Sequence, residues 1–279
     1  MSVFEALILG IVQGATEFLP VSSSGHLVLL RNIFGIEEPA LLFDTAVHGG
    51  TMIAVVVVLR QDIFNILRRI FQPLTLYVIV ATIPAVITAL AFRSHIEDAF
   101  ATGSWLGFAF LITSTLLFLS EKLYRKNSAG SDLPVRQEGP AAVRFPDEMK
   151  LRDALFIGLF QAVAVFPGIS RSGATISAGL LRRLDRDFAA RFSFLLSIPA
   201  ILGALVLQTS DIVRFGAPDS GIGLLPIAVG TISACIVGFF SIRLTLKIVR
   251  ERSLRGFALY TGILGFFVLV DKFGTNIFF

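Results

Sequence analysis

The sequence predicts an all-α polytopic integral membrane protein made of two inverted repeats, each with three transmembrane helices and one re-entrant helical hairpin. Three observations predict it: a composition too apolar for a soluble globule, apolar runs of spanning length, and an internal match between the two halves of the chain.

Of 279 residues, 54% are hydrophobic and 16% charged, and the mean hydropathy is +0.80. Soluble domains carry about 25% charged residues, so this chain has too few to clothe a globule in water. The 27 Phe against 3 Tyr and 1 Trp agree, because Phe needs no hydrogen-bond partner. A soluble enzyme and a disordered chain are both excluded. The net charge of +4 fits basic loops beside a membrane, and with no zinc-finger, basic-helix or single-strand-binding pattern we expect no nucleic-acid partner. Cys235 is the single cysteine, so no disulfide framework or thiolate metal cluster is expected. The stretch Met1–Glu5 lacks a basic region and a cleavage site, so no removable signal peptide is expected.

About 20 apolar residues cross a bilayer as a helix. Six runs qualify: 40–59, 74–92, 105–120, 190–208, 224–242 and 256–271. Two further apolar stretches, 3–20 and 153–167, end in Pro and break into the polar sequences Val21–His26 and Ile169–Gly173. Short helices are expected to resume at about 26–34 and 174–182. Such breaks survive at membrane depth only when buried in protein or lining a wet cavity. The loops 60–73, 121–152, 182–191 and 243–255 hold 19 of the 24 basic residues, which predicts that these loops are cytoplasmic and both termini outside. The first hairpin then enters from outside.

Self-comparison at an offset of 148 aligns Gly10 with Gly158, Gln13 with Gln161, Phe18 with Phe166, Ser22 with Ser170, Ser24 with Ser172 and Gly25 with Gly173. At 149, Phe43 falls on Phe192 and Gly107-Phe108-Ala109 on Gly256-Phe257-Ala258. The expected organisation is a single membrane domain: a first repeat over 1–120, a cytoplasmic linker over 121–152 and a second, inverted repeat over 153–279. An odd number of crossings inverts the second half, and inverted repeats with broken helices place a site where the breaks meet.

Each break has the composition of a helix N-cap, whose free N–H groups attract anions. Ser22, Ser24, Gly25, Ser170, Ser172 and Gly173 are therefore candidate phosphate-binding residues, with Gln13 nearby. Arg171 adds a guanidinium suited to phosphate oxygens. The halves diverge where chemistry belongs: Ser23 aligns with Arg171, Glu17 with Val165, and His26 with Ala174. Ionisable residues inside apolar segments are expensive unless used. His26 suits proton transfer, and a Ser beside a His and a carboxylate resembles an activated nucleophile. His48, one turn after Asp44, reads either as a partner of the site or as a helix–helix contact. Ser177 and Ser193 read equally as packing residues. His95, beside Glu97 and Asp98, reads as solvated, and Arg182, Arg183 and Arg186 as an orientation signal. A metal is only weakly indicated, with Glu17 as one ligand and Asp44 as a second candidate.

At Gln13–His26 (QGATEFLPVSSSGH) and Phe166–Thr175 (FPGISRSGAT) the chain resembles the bacterial undecaprenyl-diphosphatase family linked to bacitracin resistance. The resemblance implies hydrolysis of undecaprenyl diphosphate to undecaprenyl phosphate, which recycles the lipid carrier for peptidoglycan synthesis, in the bacterial inner membrane. It places the family's motif glutamate, serine and histidine on Glu17, Ser23 and His26, and its second-motif arginine on Arg171. It also implies a divalent cation, Mg²⁺ or Ca²⁺, and a site open to the outer face. Many members have Glu at the position of Gln13, so a mechanism needing two carboxylates is in question here. The alternative is an inverted-repeat transporter or flippase that carries a phosphorylated lipid without cleaving it. The small-residue helix surfaces leave room for a homodimer.

Overall fold

The computed structural model describes residues 1–36, 41–103, 105–128, 143–144, 146–215, 222–275 and 277. In chain order the helices are α1 (Val3–Thr16), α2 (Ser23–Phe34), α3 (Leu41–Val58), α4 (Arg60–Arg68), α5 (Pro73–Ala91), α6 (Arg93–Thr102), α7 (Leu106–Ser128), α8 (Leu151–Val163), α9 (Arg171–Leu181), α10 (Arg186–Phe215), α11 (Leu224–Glu251) and α12 (Arg255–Val270). The described residues form no strand, and an isolated bridge pairs Arg144 with Leu184.

Five helices (α5, α7, α10, α11 and α12) are long and apolar enough to cross a membrane. A sixth span is available if α3 and α4, bent by 76° at Leu59, count as one broken helix. The chain is thus a multi-pass membrane protein. Its outer surface is apolar: on α5, Leu76, Ile79, Ile83, Ile87 and Leu90 recur at helical spacing and all are exposed. The spans outrun the apolar windows read from the sequence. Helix α10 extends to 186 and 215, and α11 to 251, because the added turns carry charged residues that pair at the helix ends. The expected 121–152 linker begins as helix, since α7 continues to Ser128, and includes a 3₁₀ turn at Pro146–Glu148. Its residues 129–142 and 145 lie outside those described.

The returning helices begin earlier than expected, at Ser23 and Arg171 instead of about 26 and 174. Ser22 and Ser170 are the N-caps, so the polar residues assigned to the break form the first helical turn.

Helix α1 packs on α11, α11 also on α3, α8 on α5, and α7 on α12. Close approach depends on missing side chains. A Cβ on Gly10 would sit 2.3 Å from the Gly230 carbonyl oxygen, and one on Gly158 would sit 2.6 Å from the Ala81 carbonyl oxygen. Small residues at such crossings let backbones touch where hydrophobicity alone provides no driving force.

The Arg-rich end of the bundle is tied together by two fully buried acids. Asp153, in the first turn of α8, accepts from the Lys150 amide at 2.9 Å and pairs with Arg144 at 2.6 Å and Arg182 at 2.7 Å. Glu121 of α7 pairs with Arg125 at 2.6 Å and Arg186 at 3.0 Å, and accepts the Leu254 amide at 3.2 Å. Arg182 and Arg186 therefore hold helix ends together, a role beyond the topology signal read from their charge alone. Burial by itself would raise the Asp153 carboxyl, but the Arg144 and Arg182 hydrogen bonds outweigh it and hold the group below the ordinary carboxylate value.

The stabilisation from Asp153 is full above the ordinary carboxylate value and is lost as pH falls through the lowered one. Asp153→Asn should remove this acid sensitivity and lower stability by about 2 kcal/mol. That is less than for a fully buried pair, because both guanidiniums reach solvent. Thermal unfolding in detergent at pH 7 and pH 3 checks both statements.

Candidate functional site

The two breaks touch. Arg171, at the first position of α9, donates from Nη2 to Glu17 Oε1 at 2.7 Å. Ser172 Oγ donates to the Leu19 carbonyl at 3.0 Å, and the Gly168 amide donates to Ser24 Oγ at 3.2 Å. Residues more than 140 positions apart thus form one polar cluster. Its centre is the Glu17 carboxylate, just beyond the last turn of α1, with 6% of its side chain exposed.

Both tips use the same local chemistry. Ser22 Oγ accepts from the Gly25 amide at 3.3 Å, and Ser170 Oγ accepts from the Gly173 amide at 3.0 Å. This is the N-cap bond to the third helical residue. Ser24 and Ser172 hydroxyls stand beside their caps at 3.4 and 3.2 Å. The Gly25 and Gly173 amides, expected to face phosphate, are therefore engaged by their caps. The amides preceding them in each first turn are the ones left for an anion. The tips differ in backbone strain. Ser22 sits at φ 73°, a region that favours glycine and costs about 1–3 kcal/mol for other residues, whereas Ser170 is extended at φ −68°.

Glu17 is surrounded by donors. Its Oε2 accepts from Ser23 Oγ at 2.6 Å and from Gln13 Nε2 at 3.0 Å. That bond fixes the Gln13 amide, because only the NH₂ side can face a carboxylate. Among the described residues, Gln13 Oε1 is then left buried without a partner, as is Arg171 Nη1. Buried polar atoms are ordinarily paired. An orphan acceptor and an orphan donor beside one carboxylate suit a ligand that offers both a positive centre, or donor, and anionic oxygens.

The two site histidines are fixed by one device. His26 Nδ1 lies 2.6 Å from the Ser22 carbonyl, and His48 Nδ1 lies 2.7 Å from the Asp44 carbonyl, each four residues back. A carbonyl only accepts, so both rings carry hydrogen on Nδ1 and present Nε2 outward. His48 Nε2 reaches to 3.9 Å from Glu17 Oε2. His26 Nε2 instead lies 2.7 Å from the Tyr260 hydroxyl. Among the described residues no hydrogen bond joins His26 to Glu17 or Ser23. The histidine facing the carboxylate is His48, placed there by α3.

Glu17, Ser23, Arg171 and Gln13 are thus brought into direct contact, with Ser22, Ser24, Gly25, Ser170, Ser172 and Gly173 forming the two tips around them. Asp44 is paired with Arg31. Among the described residues no group of three His, Cys, Asp or Glu side chains converges as a metal cage. Ser177 bonds Ser120 at 3.0 Å and Ser193 bonds Thr175 at 2.6 Å, both as helix–helix contacts. His95 is exposed. Sequence reasoning missed Tyr260, whose one signal is a phenol in a mostly apolar helix. It also missed Thr113, whose hydroxyl accepts the Ser170 amide at 3.0 Å.

By sequence, the chain matches a known family over nearly its whole length. The family profile described as "Bacitracin resistance protein BacA" matches residues 6–267. A Carboxydothermus hydrogenoformans protein named undecaprenyl-diphosphatase is 44% identical over 270 residues, covering 97% of each chain. A Bacillus cereus protein named undecaprenyl-diphosphatase 3 is 41% identical over 278 residues, covering all of both. A Methanobrevibacter smithii protein named undecaprenyl-diphosphatase is 39% identical, covering 98% of each.

Gly25 is where the first tip has no room. An added Cβ would lie 2.6 Å from Phe110 Cζ, the ring whose edge meets His26 at 5.5 Å. Gly25→Ala should cost about 1–3 kcal/mol through overpacking, read as a lower thermal midpoint in detergent. Gly49→Ala, with open space around its Cβ, serves as the control and should leave the midpoint unchanged.

Proposed function

Since the chain belongs to the family described as bacitracin resistance protein BacA, we propose that it hydrolyses undecaprenyl diphosphate to undecaprenyl phosphate and inorganic phosphate, recycling the lipid carrier and conferring bacitracin resistance. The observation that carries the reading is the cluster of Ser23, Glu17 and Arg171, where a carboxylate holds a hydroxyl at 2.6 Å and a guanidinium at 2.7 Å. Full-length relatives named for this activity support it. The carrier alternative is not favoured, because a carrier needs binding groups only and this hydroxyl is already placed against a base.

The diphosphate enters between the two tips with its polyprenyl tail in lipid. Arg171 Nη1, unpartnered in the resting site, takes a phosphate oxygen, and the first-turn amides of α2 and α9 take others. Ser23 Oγ gives its proton to Glu17 and attacks the terminal phosphorus. The bridging P–O bond breaks as the new one forms, and undecaprenyl phosphate leaves. Water then attacks the phosphoserine and gives a proton to His26, Glu17 returns its proton to the departing Ser23 oxygen, and His26 passes its proton to the released phosphate. Charge on the transferring group is spread over oxygens held by Arg171 and the amides, where preorganised donors stabilise it. His26, on the same first turns of α2, is the second proton carrier of the cycle.

A divalent cation fits the donor set. Glu17 offers one carboxylate and Gln13 an unpartnered amide oxygen. Mg²⁺ in particular is commonly bound by one or two carboxylates, with water and substrate phosphate completing the shell. When bound, the cation offsets phosphate charge. Gln13 would thereby serve at the position where the family resemblance implies a second carboxylate.

The halves are read as inverted repeats. The pairing of α1 with α11 and of α8 with α5 supports this, as do the equivalent close crossings at Gly10 and Gly158. The basic loops are read as cytoplasmic, so the termini and the mouth of the site face outward in the inner membrane. Every group named lies within one chain, and no second copy is required.

Purified protein should release inorganic phosphate from undecaprenyl diphosphate in detergent, with Mg²⁺ or Ca²⁺ supporting and EDTA abolishing release. Arg171→Ala should lower kcat/KM by at least about a hundredfold, with the thermal midpoint recorded alongside. Near-normal turnover in a folded Arg171→Ala protein would sink the reading.

A further inference from the structure

We propose that Tyr260 is a positioning residue for this reaction: its hydroxyl holds the His26 imidazole so that the ring exchanges its proton at Nε2 in one fixed orientation. The inference rests on the phosphatase reading above and adds a residue from the far end of the chain to the site.

The geometry points to a built pair. Tyr260 lies half-exposed on α12, whose other polar side chains are Arg255 and Thr261, and its hydroxyl is turned to His26 Nε2 at 2.7 Å. A phenol in an apolar helix needs a hydrogen-bond partner, since lipid offers none. The two rings are stacked, 5.7 Å apart and 11° from parallel, and the Phe110 edge meets the imidazole from another side. His26 itself is 8% exposed. The ring is thus bounded by the Ser22 carbonyl at Nδ1, Tyr260 at Nε2 and Phe110 at its edge, and the Glu17 cluster takes no part in orienting it.

The chemistry explains why a phenol and not another donor suits this position. With Nδ1 carrying hydrogen for the Ser22 carbonyl, the neutral ring has one lone pair, on Nε2, and it accepts the Tyr260 O–H. Once Nε2 takes the proton of the attacking water it becomes a donor to the phenol oxygen, whose own hydrogen turns away from the ring. A hydroxyl both donates and accepts, so the pair survives both protonation states and the ring keeps its orientation throughout. A Phe at 260 would preserve the stack and lose this function.

The test is Tyr260→Phe in the full-length protein, with phosphate release from undecaprenyl diphosphate measured beside the parent. The chain has three His, so ¹⁵N-histidine labelling resolves each ring. We expect kcat to fall by about tenfold or more, within the range for mispositioned acid–base groups. KM and thermal midpoint should stay unchanged, and only the His26 Nε2 resonance should move to the position of a nitrogen without a hydrogen-bond partner. Unchanged kcat in the variant, with an active parent, overturns this inference and leaves the phosphatase reading standing. A lower midpoint with all three histidine signals disturbed also overturns it, because the role is then structural. A parent that releases no phosphate overturns both.

Discussion

The contact on which the rest of the site depends is the ion pair between Glu17 and Arg171. Neither charge is tolerable alone when buried, and each lies at the end of a helix that stops inside the protein. Their pairing at 2.7 Å brings the two broken helices tip to tip and offsets the cost of leaving unpaired backbone in an apolar setting. It also leaves the pair poised for a ligand. Arg171 retains an unpartnered Nη1 and Gln13 an unpartnered oxygen, so an anion can join the guanidinium without first breaking its bond to the carboxylate.

That arrangement needs a rigid frame, and the frame is made of close helix crossings and buried acids. Gly10 and Gly158 let α1 and α8 lie directly against α11 and α5. At the Arg-rich end, Asp153 and Glu121 each gather two guanidiniums and a backbone amide. With that end cross-linked, the ends of α8 and α9 next to the tip are held by the same short hairpin. Among the described residues two non-glycines sit at positive φ, Arg183 at the Arg-rich end and Ser22 at the site, and Ser22 turns the chain so that Ser23 reaches Glu17.

Much of the fold was legible because its causes are local. Apolar runs report transfer from water to lipid, and they located the long helices to within a few residues at their apolar ends. They underestimated α10 and α11, whose last turns are polar. An N-cap composition was legible in each break, but the capping residues were not, since the helices were expected to resume at about 26 and 174 and start at Ser23 and Arg171. The site was legible in part: Glu17, Ser23 and Arg171 meet, but His26 does not touch Glu17, and the imidazole that approaches the carboxylate is His48.

The sequence by itself determined the membrane class, the two interrupted helices, the capping composition of their breaks and the set of groups that could handle a phosphate. These follow from composition and from bonds spanning three or four residues, which a linear pattern records. Only the tertiary structure decided which groups meet. Glu17 and Arg171 are 154 residues apart, and His26 and Tyr260 are 234 apart. Such pairings depend on how helices cross, through the absent side chain of a glycine or the rotamer of a phenylalanine. No periodicity in the chain encodes that register.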